Sequence, residues 1–125
     1  MATPNINDST KNITGYTVGV ALSTTNATQL VTNPAGSGQL IRVCSVYAAN
    51  VDSANAVSVT LSNYSADALG GTATRIANAV SVNPFSSLVL INKDGPLYLR
   101  ENQSLGITAS AANRSEVVIS YEIIS

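Results

Sequence analysis

Few side chains in this chain can do chemistry: seven carboxylates, six cations, one cysteine and no histidine, in 125 residues. Without histidine, a Ser–His–Asp or Cys–His nucleophile cannot be assembled, and the ordinary zinc site of histidines and paired cysteines is equally excluded. Lys11 and Lys93 sit in polar, turn-like stretches, where an ammonium is solvated rather than activated. The carboxylates are Asp8, Asp52, Asp67, Asp94, Glu101, Glu116 and Glu122; no two share a motif that would make them the acid and base of a glycosidase. Asn92-Lys93-Asp94-Gly95 has the alternating oxygens and the glycine of a calcium loop but lacks the third ligand and the distant bidentate glutamate. A tight turn with Gly95 at positive φ is expected there, and calcium at Asp94 is the one metal the sequence leaves open. Gly36-Ser37-Gly38 is followed by neither Lys-Ser/Thr nor a helix, so it reads as a turn rather than a phosphate loop. Cys44 is alone, so it has no intrachain disulfide partner. Among the alternating apolar residues of QLIRVCSVYAA it reads as a small buried hydrophobe, with Arg42 two residues away as the nearby cation. These residues predict no enzyme, no cofactor and no catalytic or metal site.

Composition narrows the partners. Apolar residues make up 45% and charged residues 10% of the chain, against about 25% charged in an ordinary soluble domain. The net charge is −1. No basic block exists to track phosphates, so neither nucleic acid nor an anionic membrane surface is expected. The longest apolar runs, such as Leu88-Val89-Leu90-Ile91, are far shorter than the roughly 20 residues of a membrane-spanning helix. The opening MATPNINDSTKN carries no apolar signal core, which sets cytoplasmic synthesis as the expectation. Asn-X-Ser/Thr triplets begin at Asn7, Asn12, Asn26, Asn63, Asn102 and Asn113. In a chain this rich in Asn, Ser and Thr they are a by-product of composition.

Period-two alternation dominates what must position these residues. Tyr16, Val18, Val20 and Leu22 share one strand face, and Val57, Val59 and Leu61 another. Residues 40–49 are apolar on both faces, with Leu40, Cys44 and Val46 on one side and Ile41, Val43 and Tyr47 on the other, which predicts a strand covered on both sides. Residues 28–32, 75–82, 87–92, 97–100, 104–111 and 116–125 add further strands. The turns between them are marked by Asn33–Gly38, Asn50–Asn55, Asn83-Pro84, Asp94–Pro96, Glu101–Gln103 and Ala112–Arg114. Ser65 could cap one helical turn over 66–69 before Gly70-Gly71 ends it. The fold class expected is all-β: an antiparallel, jelly-roll-like sandwich of eight or nine short strands over residues 15–125. A polar N-terminal arm, residues 1–14, precedes it. Tyr16, Tyr47, Tyr98 and Tyr121 fall inside strands and read as packing residues. Tyr64 and Phe85 fall in loops and, with the arm's Ile6 and Ile13, are the candidate partner-binding residues.

The closing third, PLYLRENQSLGITASAANRSEVVISYEIIS, and the VCSVYAAN segment at 43–50 resemble small β-sandwich virion proteins of tailed bacteriophages, over about residues 15–125. The resemblance implies a capsid decoration (cement) protein on the virion surface, made in the host cytoplasm. Its partners would be the major capsid protein and copies of itself, most simply as a trimer. Two alternatives stand beside it: a small tail or head-completion component, and a carbohydrate-binding jelly-roll module. On the cement reading, residues 1–14 add as an extended strand to a sheet edge of the shell or of a neighbouring copy.

Overall fold

The computed structural model describes residues 12–125. Among the described residues nine strands follow one another: β1 (Ile13–Leu22), β2 (Thr28–Asn33), β3 (Leu40–Asn50), β4 (Val57–Tyr64), β5 (Ala73–Val82), β6 (Ser87–Ile91), β7 (Leu97–Leu99), β8 (Gln103–Ala109) and β9 (Ser115–Ile124). They form two antiparallel sheets. In the first the order is β1-β9-β3-β6, with β7 also on β3; in the second it is β2-β8-β4-β5. This is the jelly-roll connectivity, with one strand of the first sheet split into β6 and β7. Both halves pair with β3, β6 along Val46–Ala49 and β7 along Ile41–Val43. The expected all-β sandwich is therefore the fold of the chain. Ile13 and Thr14, assigned to the arm, are the first residues of β1.

The core lies between the sheets and is built by alternation. From the first sheet come Leu22, Ile41, Val43, Val46, Ala48, Leu99, Val117 and Ile119; from the second come Val57, Val59, Leu61, Leu105, Ile107 and Ala109, all buried. Each of these valines, leucines and isoleucines contributes about 1.5–3 kcal/mol on removal from water. No metal or disulfide is needed to close a core of this size.

Bulges decide which residues face it. The β3–β9 register slips between Val43 and Ser45, which leaves Cys44 as the extra residue. That slip inverts the alternation. Val46 and Ala48 join Ile41 and Val43 inside, while Tyr47 turns outward, contrary to the faces expected for residues 40–49. Cys44 is half-buried rather than a core residue, with its Sγ 3.6 Å from Arg42 Nη1. A second slip on β2 lets the adjacent Leu30 and Val31 both be buried.

Residues 65–72 form no helical turn. Ala68 and Leu69 are both left-handed (φ 53° and 59°), and the loop is pinned to the second sheet instead. Leu69 N–H donates to Ser104 Oγ (2.9 Å), Ala68 N–H to Thr32 Oγ1 (3.0 Å) and Asp67 N–H to Asn102 Oδ1 (3.1 Å). The Asn92–Gly95 turn does form, with Asp94 N–H on Asn92 Oδ1 (3.0 Å), but Gly95 is not among the positive-φ glycines.

Two buried asparagines bracket the sandwich at opposite ends. Asn33, at the end of β2, is 0% exposed. Its Nδ2 donates to Leu99 O (3.0 Å) on the opposite sheet and to Gln39 O (2.9 Å), and its Oδ1 accepts from Ser37 Oγ. Asn50, at the end of β3, is 2% exposed. Its Nδ2 donates to Val82 O (3.0 Å), again across the sandwich, and to Asn55 O (2.8 Å), while its Oδ1 accepts from Asp52 N–H (2.9 Å).

Candidate functional site

The outward face of the first sheet carries the side chains available for contact. Because Val117 and Ile119 point into the core, Val118 must point out. It stands opposite Gly19 on β1 and Tyr47 on β3, and Tyr47 stands opposite Val89 on β6. Val118, Tyr47 and Val89 are 42%, 43% and 50% exposed, so an apolar row crosses three strands in the open.

Parallel rows follow. Ser120 lies between Thr17 and Ser45, with Thr17 Oγ1 and Ser120 Oγ 3.0 Å apart. Glu122 lies between Gly15 and Arg42, and Arg42 lies opposite Tyr98, itself exposed. Arg42 and Glu122 form an open ion pair at 3.7 Å. The Arg42 guanidinium is held above its ordinary value, first by the Cys44 sulfur and then by Tyr98 and Glu122. The face is thus hydroxyl, apolar and aromatic, with one ion pair and, between Ala21 and Ala49, the exposed carboxylate of Glu116.

At the Asn50 end the face runs into a shallow hollow lined by Ala49, Val51, Phe85 and Ser87. Phe85 is 74% exposed. Its backbone is left-handed (φ 54°), an unfavourable state for a bulky residue, and its N–H bonds Asp52 O at 3.3 Å. Asp52 organises this end. Its Oδ1 accepts from Ala54 N–H (2.8 Å) and Asn55 N–H (3.0 Å), and Oδ2 meets Arg114 Nε at 3.1 Å. The two backbone donors, with Arg114 adding, hold its carboxyl below the ordinary aspartate range.

The sequence candidates do not converge. Ile6 lies outside the described residues. Ile13 is exposed at the start of β1. Tyr64 ends β4 and is half-buried over Gly106, where an added Cβ would sit 3.1 Å from the tyrosine ring. Phe85 lies at the other end of the sandwich, in the loop before β6. Tyr16 and Tyr121 pack on each other, with ring centroids 5.4 Å apart. Tyr47 and Tyr98, read as packing residues, are exposed instead. The slip at Cys44 put Tyr47 outside, and no residue type in 40–49 announces it. Among the described residues no three His, Cys, Asp or Glu side chains gather, and no helix is long and apolar enough to cross a membrane.

No protein-family model matches the chain, and no curated protein matches it in sequence. Among solved structures it is similar to a protein of Bacillus endospore appendages, which form a novel family of disulfide-linked pili (TM-score 0.50, 18% identity, 99% of this chain and 96% of that chain). Two structures of infectious bursal disease virus also align: the T13 viral particle (TM-score 0.48, 10% identity, 91% of this chain and 31% of that chain) and the VP2 subviral particle (0.41, 12%, 93% and 32%). The chain spans about a third of the length of those two viral chains. At these identities the likeness to the pilus protein shows the fold alone, an antiparallel sandwich matched over nearly the whole of both chains.

Proposed function

We propose that this chain is a non-enzymatic structural protein of a virion: a capsid decoration (cement) protein of a phage head that lies on the outer shell and bridges its subunits. The observation that carries the reading is the open row of Val118, Tyr47 and Val89 on a face whose charges, among the described residues, are the Arg42–Glu122 pair and Glu116. A protein partner covering such a face strips few ions, and an exposed aromatic ring such as Tyr47 on a rigid sheet is a usual anchor of a protein interface. The low charge of the whole chain fits repeated packing of copies side by side. The chain of similar fold from Bacillus endospore appendages comes from a pilus.

The test is sedimentation of the full-length protein with undecorated phage heads. Binding is expected, with loss of at least tenfold on Tyr47→Asp, which sets a charge among the apolar groups. A second variant lacking residues 1–11 leaves β1 intact and asks whether the N-terminal segment contributes. Unchanged binding by Tyr47→Asp would remove the outer face from the proposal. A second reading, carbohydrate binding, is favoured by the exposure of Tyr47, Tyr98 and Phe85, because aromatic rings are the platforms sugars stack on. A glycan array that retains the protein while phage heads do not would select it.

A further inference from the structure

Sheet edges are where this molecule differs from a guarded β-protein. Soluble proteins blunt their edges with charge, proline, bulges or brevity. Three edges here follow that practice. β5 slips register twice against β4 and carries Arg75. β2 is six residues long and bulged. β6 and β7 are five and three residues long. β1 does none of this. It is ten residues, ITGYTVGVAL, with no charge, no proline and an unbroken register against β9. Among the described residues β9 is its only strand partner.

Its open backbone groups can be assigned. Asn12 and Ser125 exchange both hydrogen bonds, N–H to O at 2.8 and 2.9 Å. In an antiparallel ladder such pairs alternate with unbonded ones, so Thr14, Tyr16, Val18 and Val20 bond β9. Ile13, Gly15, Thr17, Gly19 and Ala21 then turn their N–H and C=O away from it. The Thr17–Ser120 hydroxyl contact agrees, since side chains approach most closely at unbonded pairs. Gly15 and Gly19 lie in this open set. Neither has a positive φ, and a Cβ built on either meets nothing within 4 Å. Nothing in the surrounding protein requires glycine there, whereas glycine inside a strand often marks the approach of another backbone.

We propose that β1 pairs antiparallel with β1 of a second copy about a two-fold axis through Thr17, joining the two β1-β9-β3 sheets into one. The open set is odd in number and centred on Thr17, so the strand complements itself. Thr17 faces its own mate, Gly15 faces Gly19 of the second copy, and Ile13 faces Ala21. Every open N–H meets an open C=O. On the core-side face Tyr16 and Val18, 44% and 37% exposed, come opposite Val18 and Tyr16 of the second copy, the aromatic and β-branched pairing that strands favour. Charge permits it, since the strand holds none and a like copy meets no repulsion. A head-to-tail contact would need a second unguarded edge, and the other edges are blunted. The result is a closed two-fold pair rather than the trimer that the phage resemblance implies.

A ten-residue strand about 34 Å long on a sheet edge about 10 Å thick covers about 340 Å² per copy, short of the roughly 1,000 Å² total of a lasting interface. The pair is therefore weak, and it forms at high concentration or where copies are crowded together. Sedimentation equilibrium of the full-length protein from about 10 μM to about 1 mM, the range of weak affinities, reads it. Thr17→Lys and Thr17→Glu are exposed changes that leave the β1–β9 bonds in place. Thr17→Pro loses only an N–H that points away from β9, and edge strands tolerate this. The wild type is expected to dimerise, each variant alone to weaken dimerisation at least tenfold, and an equimolar Lys/Glu mixture at low salt to recover most of it, because position 17 faces itself. A wild type that stays monomeric at the top of the range overturns the proposal. So does any single variant that dimerises like the wild type, or a mixture that regains nothing.

Discussion

Replacing Asn50 with alanine removes three hydrogen bonds at once: two donated by Nδ2, to Val82 O and Asn55 O, and one accepted by Oδ1 from Asp52 N–H. The Val82 carbonyl lies in the buried region, and leaving it unpaired costs about 1–3 kcal/mol. The other two groups sit nearer the surface, where water can replace the amide, and each loses about 0.5–1 kcal/mol. The sum is about 3 kcal/mol, which for a domain of this size lowers Tm by roughly 10 °C. Urea unfolding followed by circular dichroism measures it, with an unchanged m-value as the sign that only stability moved. Asn50→Asp provides a sharper ordering. It keeps the acceptor for Asp52 N–H but turns a carboxylate toward two carbonyl oxygens. It should be less stable than the alanine variant at neutral pH and should recover as acid protonates the new carboxyl. The bracket account is refuted if Asn50→Ala costs under about 0.5 kcal/mol, the size of an ordinary surface change, or if the aspartate variant equals the wild type at neutral pH.

Asn33→Ala should cost a similar amount, and because the two brackets sit at opposite ends, the double variant should show the sum of the single losses in the same unfolding assay. Gly106→Ala would place a Cβ 2.7 Å from Leu69 Cδ2 and 3.3 Å from Thr28 O, for a loss of about 1–3 kcal/mol by thermal melting; Gly19→Ala in dilute protein should be neutral or slightly stabilising. Asp52 is held below its unfolded value, so its contribution is present above the ordinary aspartate pKa of 3.8 and disappears as pH falls through the depressed folded value; Asp52→Asn should therefore flatten the acid limb of a stability-versus-pH curve. Leu99→Ala, at a fully buried position, should cost about 2–5 kcal/mol in urea unfolding.

Most of the architecture was legible because alternation is a direct record of which side of a sheet meets water. Val57, Val59 and Leu61 alternate with Ser58, Thr60 and Ser62, and the valines and the leucine are buried as that pattern requires. The sequence was opaque wherever one extra residue breaks the count. Nothing in Leu40–Ala49 marks Cys44 as the bulge, so unbroken alternation places Tyr47 on the wrong face and hides the outer-face row. Asn33 and Asn50 read as openings of polar turns, which they are. Their burial depends on where the opposite sheet ends, a tertiary fact that a strand-end asparagine only hints at. The 65–72 loop misled for a similar reason: its hydrogen bonds go to Thr32, Asn102 and Ser104, partners distant in sequence that outweigh a local helical preference.

The central place of β8 and β9 bears on how the chain acquires its shape during synthesis. β8 lies between β2 and β4, and β9 between β1 and β3, yet both leave the ribosome after every strand they join. Until then β1 has no ladder of its own, and the nascent chain carries its least guarded strand unpaired. Folding must wait for these late strands and then proceed through distant pairings, which is the slow regime of β-topologies. A premature stop before Ser115 would remove the strand on which both β1 and β3 depend, leaving the β1 edge exposed to other nascent copies on the same message.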